Sequence, residues 1–517
     1  MPEKNASKNS KPTSYMQRMK IKHIDIVAGK LIGIMNVIDA QELGMLPLDR
    51  AEIKNPKNGK FLNVVVDTTD SFVKEDEIGV FEGIHKFIGV NEGGIVEVKP
   101  AGKPKSLEFI KKKMNGEKLK DIELKQIVSD IASNRLSEIE TTAFVSAVYM
   151  KGLDLEETVS MTKALIENGN KLDIQGKTCV DKHSVGGTNG RATMIIVPII
   201  AAAGYCIPKT SSRSITSSAG TADAMEVLAN VSLSLDEITK IVKKTNGCIT
   251  WGGAVDLAPA DDKIIKIEYP LSLDPEGQVI ASVMAKKASV GAKFVVIDLP
   301  IGPYAKIKNK ETAERMALKF IEVGKSLGIK VEVLLTNGSE PSGKAFGPAL
   351  EAKYAMEILE GKFFDNLAQK SVELAGALLE LVGHADKGKG FDVALNILES
   401  GKALEKMKEI IKAQGGKIFS SKDIEISKMT KIVYSERSGE ISSINVSLMN
   451  KIARIAGAPA NKTAGVMLKI EEGEKASKGQ ELFEVYSENE RKLEAAYNFA
   501  KKNDPVELQR IILQKFS

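Results

Sequence analysis

From Lys293 onward the chain reads as strand, helix, strand: "KFVVIDLP", then "TAERMALKFIEVGKSLG", then "KVEVLLTNG". No other stretch restricts the fold as strongly, because this alternation argues for an α/β sheet. Amphipathic helices are expected next, over about 349–359 and 368–382. The flanking regions have a different texture. A chain of 517 residues has room for several domains, and its texture changes suggest where they divide.

Residues 1–18 are polar and lysine-rich with no apolar h-region, so they read as a disordered tail and not as a signal peptide. Strand-type segments such as "KIKHIDI" and "FLNVVVDTT", separated by the turn signals "KNPKNGK" and "NEGG", predict a β-rich domain over 19–101. "PAGKPKS" follows as a linker. A helical domain is expected over 106–172, with a further segment near 263–290, and a central α/β domain over 173–427. Glycine-punctuated strands and a last charged helix from about Glu488 predict a small α+β domain over 428–517. Ser137 with Glu140, Asp154 with Glu157 and Ser234 with Glu237 have capping-box spacing, and Gly247 suits the C-cap of the helix opened by Ser234.

Composition excludes several classes. Apolar residues make up 43% of the chain, enough for sizeable cores, yet the longest apolar runs fall well short of the roughly 20 residues that span a membrane. The net charge of +5 permits anionic ligands without demanding nucleic acid. Cys179, Cys206 and Cys248 show no CxxC spacing, which argues against a disulfide framework and a structural zinc site. No HExxH motif or His/Cys cluster indicates a catalytic metal. The cytoplasm is the default location.

Two stretches carry chemistry. "VDKHSVGGTNGRATM", from Val180, gathers a lysine, one of the four histidines, hydroxyls and glycines ahead of the apolar run "IIVPIIAAAGY". A short strand over 178–181 should lead through a polar loop into a buried helix, whose N-terminal N–H groups and dipole favour an anion. A plain glycine-rich connection reads equally well, and "GGTNG" lacks the ending of a Walker loop. The second stretch, "KTSSRSITSSAGTADAMEVL" from Lys209, packs Ser211, Ser212, Arg213, Ser214, Thr216, Ser217, Ser218 and Thr221 ahead of another helix. Arg213 has the planar fork that grips phosphate. A solvated polar loop is the simpler account of either stretch taken singly; two of them, each feeding a helix, suggest two phosphate groups in one cleft. Weaker signals are the Asp261–Asp262 pair, which more often caps a helix, and Ser282 with Lys286, one helical turn apart on one face. His23 and His384 have no partner pattern.

"VDKHSVGG", "SSRSITSSAGTADAMEVL", "WGGAVDLAPADDK" and "VIASVMAKK" occur in an order that resembles the thymidine and pyrimidine-nucleoside phosphorylase family, from residue 106 to the C-terminus. Four separate motifs make the resemblance specific. It implies a multidomain α/β fold, with a helical domain and a large α/β domain around a cleft, plus a small C-terminal α+β domain. Within the family the chain resembles the archaeal-type AMP phosphorylase branch. The β-rich N-terminal domain is typical of that branch, and the hydroxyl-rich "SRSITSSAGT" suits a substrate already carrying a 5′-phosphate.

That resemblance implies phosphorolysis of AMP, and of CMP or UMP, to the free base and ribose 1,5-bisphosphate in nucleotide salvage. Phosphate is a co-substrate and no cofactor or metal is implied. Gly186, Ser212, Arg213, Ser214, Ile215, Thr216, Ser217 and Thr221 should line the nucleotide site, with Ser282 and Lys306. Lys182 and Ser184, joined by Thr221, match the phosphate-binding residues, and Asp274 in "PLSLDPEG" matches the proton donor. His183 and Lys286 are further candidates. Tyr269 departs from the base-binding arginine of nucleoside-specific members. A homodimer or larger homo-oligomer is implied, with no nucleic-acid or membrane partner. The competing readings are a pyrimidine-nucleoside phosphorylase, a magnesium-dependent phosphoribosyltransferase, and a nucleotide-sensing or RNA-binding module. Aromatic residues, at 5%, give the last no visible stacking motif.

Overall fold

Alternation of apolar and polar residues builds the N-terminal region. The computed structural model describes residues 15–26, 31–81, 83–186 and 189–509. Six strands, β1 (Gln17–Ile24), β2 (Ile32–Asn36), β3 (Arg50–Lys54), β4 (Phe61–Thr69), β5 (Glu77–Phe81) and β6 (Ile95–Pro100), close into a barrel of order β1-β5-β2-β4-β3-β6. Met19 and Ile21, Leu62, Val64 and Val66, and Val96 and Val98 point inward at every second position. Closure leaves no free sheet edge. Gly33 is required by space: a Cβ there would stand 2.8 Å from Val64 Cγ2. The expected tail is shorter than 1–18, because Gln17 and Arg18 already pair with Val98 and Glu97; residues 1–14 of it lie outside the described residues.

The chain divides into two compact units, 1–152 with 263–273, and 153–262 with 274–517. The first holds the barrel, the short helices α1 (Val37–Glu42) and α2 (Ile84–Ile88), and α3 (Ser106–Met114), α4 (Asp121–Ala132) and α5 (Glu138–Lys151). The helical segment read over 106–172 is therefore split. Its last helix, α6 (Leu155–Glu167), belongs to the second unit, where Leu153 and Thr158 press on Gly277 too closely for any side chain there.

The second unit is built on parallel strands: β7 (Cys179–Ser184), β8 (Ile207–Ser211), β9 (Gly247–Trp251), β10 (Ala292–Ile301) and β11 (Lys330–Asn337). They form the orders β11-β10-β7 and β8-β9, joined by a bridge between Cys179 and Cys206, whose free thiols lie 3.1 Å apart. Alternate residues feed opposite cores. Val180 and Val296 pack with α7 (Ala192–Ala202), which follows the first motif, and with four later helices named below. Cys179, Val295, Ile297 and Leu299 pack on the other face. That face is covered by α9 (Leu235–Thr245), α11 (Glu276–Ser289) and α12 (Lys310–Ser326), which stand in chain order after α8 (Thr221–Met225) and around α10 (Pro259–Leu271). The three capping boxes form, with Glu157 N to Asp154 Oδ1 at 2.8 Å. The C-cap of α9 is Asn246 at φ 65°, and not Gly247. Asn tolerates that left-handed backbone, whereas Gly247 opens β9, where a Cβ would meet Ala201 Cβ at 3.1 Å.

Helices α13 (Pro348–Leu359), α14 (Asn366–Leu381), α15 (Gly390–Glu399) and α16 (Lys402–Ala413) complete the first of these two cores. Beyond them, β13 (Thr430–Tyr434), β15 (Gly465–Leu468) and β17 (Glu481–Tyr486) form a sheet whose edge strand, β12 (Ala345–Phe346), comes from well before residue 428. A second sheet joins β14 (Gly439–Ile444), β16 (Lys475–Ala476) and β18 (Val506–Leu508), and α17 (Val446–Ala456) and α18 (Glu490–Asn503) pack against this region's core. Among the described residues no helix is long and apolar enough to cross a membrane.

Candidate active site

The first motif lies on a strand and not only in a loop: β7 runs to Ser184, three residues past the expected end. Strand alternation then sorts its polar residues. Lys182 and Ser184 share the face of Val180, and Asp181 and His183 share the face of Cys179.

On the first face Ser184 pairs in register with Asp298 of β10. Ser184 Oγ donates to Asp298 Oδ2 at 2.6 Å and accepts from Lys182 Nζ. Lys182 Nζ lies 4.0 Å from the same carboxylate, Lys370 Nζ of α14 at 3.3 Å, and Thr336 Oγ1 donates to Oδ1 at 2.5 Å. Burial works to raise the Asp298 carboxyl, yet Lys182, Lys370 and the two hydroxyls hold it below the usual range. Burial also pulls Lys182 down to about 8, against the attraction of Asp298. Two ammonium groups around one carboxylate leave a net positive seat at the C-terminal ends of parallel strands, where open α/β sheets bind ligands.

On the second face Asp181, fully buried, accepts from Lys287 Nζ at 2.6 Å and lies 3.5 Å from Lys209 Nζ. Burial pushes Lys287 down to about 7 despite Asp181. His183 is held well below 6.5 by burial first and then by Lys287, Lys209, Lys182 and Lys286. It is therefore a neutral imidazole at physiological pH, able to accept or donate one hydrogen bond.

Ser282 and Lys286 do share a face of α11, but that face is not merely solvated. Ser282 Oγ donates to Asp261 Oδ2 at 2.7 Å, and Lys286 Nζ meets the same oxygen at 2.7 Å. Asp261 is fully buried and also accepts from Gln278, so it ties α10 to α11 as well as standing in the first turn of α10. Asp274, just ahead of α11, accepts from Lys306 Nζ at 2.6 Å, with both side chains about half exposed. Lys306 follows β10 and its methylenes flank Gly186, which ends the described part of the chain after β7. Gly187 and Thr188 of that loop lie outside the described residues.

The second motif leaves β8, and the Cys179–Cys206 bridge puts its exit on the same sheet edge as that of β7. The helix it feeds, α8, has only five residues, so the helix-dipole argument for that loop loses its basis. Arg213 is not an open fork either. Its Nη1 and Nη2 donate to Glu226 at 2.9 and 2.6 Å, Nη1 also reaches Asp223 at 3.2 Å, and the guanidinium lies 4.9 Å over Trp251. Asp223 in turn accepts from the N–H groups of Ser214 and Gly220, at 2.6 and 2.8 Å. Arg213 and Asp223 thus clamp the base of the loop. Ser214 Oγ donates to Ser217 O, and Ser217 Oγ to Ala219 O at 2.8 Å. Among the described residues, nothing in the protein accepts from the N–H groups of Ile215, Thr216 and Ser217. Ser212 ends the strand side of this loop and Thr221 opens α8; no hydrogen bond joins either to the Lys182 cluster among the described residues.

Sequence reasoning missed Asp298, Lys370 and Asp181 as parts of the site. Asp298 left a signal, a lone charge inside the apolar strand "KFVVIDLP", and so did Asp181 beside Lys182. Lys370 is the one lysine of the amphipathic helix α14, in a chain rich in lysine, and left none.

The chain is similar to known proteins along most of its length. A model described as the glycosyl transferase family, helical bundle domain, matches residues 107–169, and one for the a/b domain of the same family matches 176–404. The AMP phosphorylase of Pyrococcus furiosus is 44% identical over 500 residues, covering 96% of this chain and 99% of that protein. That of Methanococcus aeolicus is 44% identical with the same two shares. AMP phosphorylase 1 of Archaeoglobus fulgidus is 44% identical, with 96% and 98% covered. Among solved structures, anthranilate phosphoribosyltransferase (TrpD) from Thermus thermophilus matches with a TM-score of 0.52 at 18% identity, over 59% of this chain and 99% of that one. That likeness concerns the fold alone.

Proposed function

Because this chain belongs to the AMP phosphorylase family, we propose a mechanism in which its sheet edge seats inorganic phosphate against C1′ of AMP. The enzyme is a pentosyltransferase that splits AMP with phosphate into adenine and ribose 1,5-bisphosphate. The observation that carries the mechanism is the Lys182–Ser184–Asp298 cluster, a cationic seat with a hydroxyl at its centre, on the strand edge from which the hydroxyl-rich loop also leaves.

A phosphate oxygen forms the new bond to C1′ as the bond from C1′ to the base nitrogen breaks. The bonding pair leaves with adenine, which takes up a proton. Lys182 and Ser184 hold the nucleophile, with Thr221 closing on it, and Lys370 and Asp298 fix the lysine's position. The catalytic gain is orientation and electrostatic. The loop from Ser212 to Ser217 receives the nucleotide's 5′-phosphate on the N–H groups of Ile215, Thr216 and Ser217, and Arg213 braces that loop from beneath. Gly186, Ser282 and Lys306 line the sugar and base, with His183 and Lys286 beside them. Asp274 protonates the departing base, for which substrate must first open its pair with Lys306 and the carboxylate take up a proton from solvent. The reaction needs no metal or organic cofactor. CMP and UMP are further substrates, the enzyme works as a homodimer or larger assembly, and its place is the cytoplasm.

The pyrimidine-nucleoside phosphorylase alternative is not favoured, since full-length relatives at 44% identity are AMP phosphorylases. Phosphorolysis of AMP, adenosine and thymidine under matched conditions tests the assignment. AMP should be strongly preferred; equal or greater turnover of thymidine would overturn it.

A further inference from the structure

We infer that Arg454, on α17 of the C-terminal region, is the cation that distinguishes a nucleoside 5′-monophosphate from the bare nucleoside. The inference rests on the reading of the Ser212–Ser217 loop as the 5′-phosphate seat and adds a recognition residue from a distant part of the chain.

Charge around the loop leads to it. The Arg213 guanidinium is matched by Asp223 and Glu226, and Lys462 Nζ meets Glu226 as well, at 2.9 Å. Those two cations and two carboxylates cancel, leaving nothing for a dianion. Arg454 adds a positive charge that no carboxylate pairs among the described residues. Its Nη1 donates to the carbonyls of both Ile215 and Ser217, each at 3.1 Å, which brings the guanidinium to the rim of the loop. Those two bonds use both hydrogens of Nη1. The N–H groups on Nη2 and Nε find no protein acceptor among the described residues, and the side chain is exposed.

One helical turn earlier Asn450 accepts from Ser218 N at 2.8 Å and from Ser218 Oγ at 2.9 Å. Residues four apart share a helix face, so α17 grips the loop at two points and holds the Arg454 fork on the carbonyls of Ile215 and Ser217, at the rim of the loop whose N–H groups at 215–217 have no protein acceptor among the described residues. A planar fork with spare donors, on a loop that also carries unpaired backbone donors, suits a phosphate monoester. The sequence could not show this, because Arg454 follows the loop by more than two hundred residues on an ordinary amphipathic helix.

The test is calorimetric titration of AMP and adenosine into the wild-type enzyme, Arg454→Met and Arg454→Lys, with kcat/KM for AMP measured in parallel and a thermal melt to verify folding. Arg454→Met keeps the stem and removes the charge. AMP affinity should fall about 10–100-fold, as expected for a charge-assisted hydrogen-bonding pair, while adenosine affinity stays unchanged. Arg454→Lys should fall between. Equal weakening of both ligands would make Arg454 only a brace for the loop and overturn the inference, as would unchanged AMP binding. A wild-type enzyme that binds AMP and adenosine equally would instead remove the 5′-phosphate seat itself. A preference for AMP that survives undiminished in Arg454→Met would remove Arg454 alone.

Discussion

Lys182 holds its proton against burial, and its value near 8 sets a pH limit on phosphate capture. The lysine is an ammonium below that pH and a neutral amine above it, so kcat/KM for phosphate should fall as pH rises through about 8. A bound anion favours the charged form, so the corresponding fall in kcat should lie at higher pH than that in kcat/KM. Lys182→Met should lose the basic limb and roughly 10²–10³ in rate. A wild-type profile flat into strongly basic solution would contradict the assignment. Asp274 has a different task. Asp274→Asn keeps the size but cannot transfer a proton, so kcat should drop by about 10²–10⁴ while AMP binding holds. A pure loss of binding would instead make Asp274 a recognition residue, in line with its present contact to Lys306. At this scale the sequence exposed residue types and not partners. Arg213 looked like an open fork, and only the fold shows it closed on Glu226, thirteen residues on.

The second loop shows what a single element can and cannot reveal in advance. Its hydroxyls and the strand before it were legible, because β8 and the turn residues are local. The length of α8 was not, since the helix stops after one turn against surroundings set by the rest of the unit. Gly220 carries the element's tightest demand: a Cβ there would lie 2.5 Å from Ser212 O and 2.7 Å from Arg213 C. Both contacts are backbone and cannot rotate away. Gly220→Ala should therefore displace the loop at a cost of about 1–3 kcal/mol, raising KM for AMP more than KM for phosphate. Equal rises in both would show that the two anion seats are not separable. The capping boxes and the strand–helix–strand run from Lys293 were readable for the opposite reason, since each rests on spacing within a few residues.

For the whole molecule, long-range packing decides what sequence texture leaves open. The C-terminal sheet draws its edge strand from Ala345–Phe346, and α6 coheres with α11, so changes in composition along the chain do not coincide with the compact units. Two expectations belong to this scale. Activity should be unchanged in excess chelator, because lysines and hydroxyls do the work of charge stabilisation; loss of turnover restored by magnesium would reject that. Light scattering should give at least twice the chain mass, and a fully active monomer would reject the dimer. The central claim is that phosphate held at the sheet edge attacks C1′ of AMP, and ³¹P NMR of the enzyme with AMP and phosphate tests it most directly. Phosphate should be consumed mole for mole with adenine released, as the two resonances of ribose 1,5-bisphosphate grow in. Release of adenine with ribose 5-phosphate and no consumption of phosphate would contradict the account.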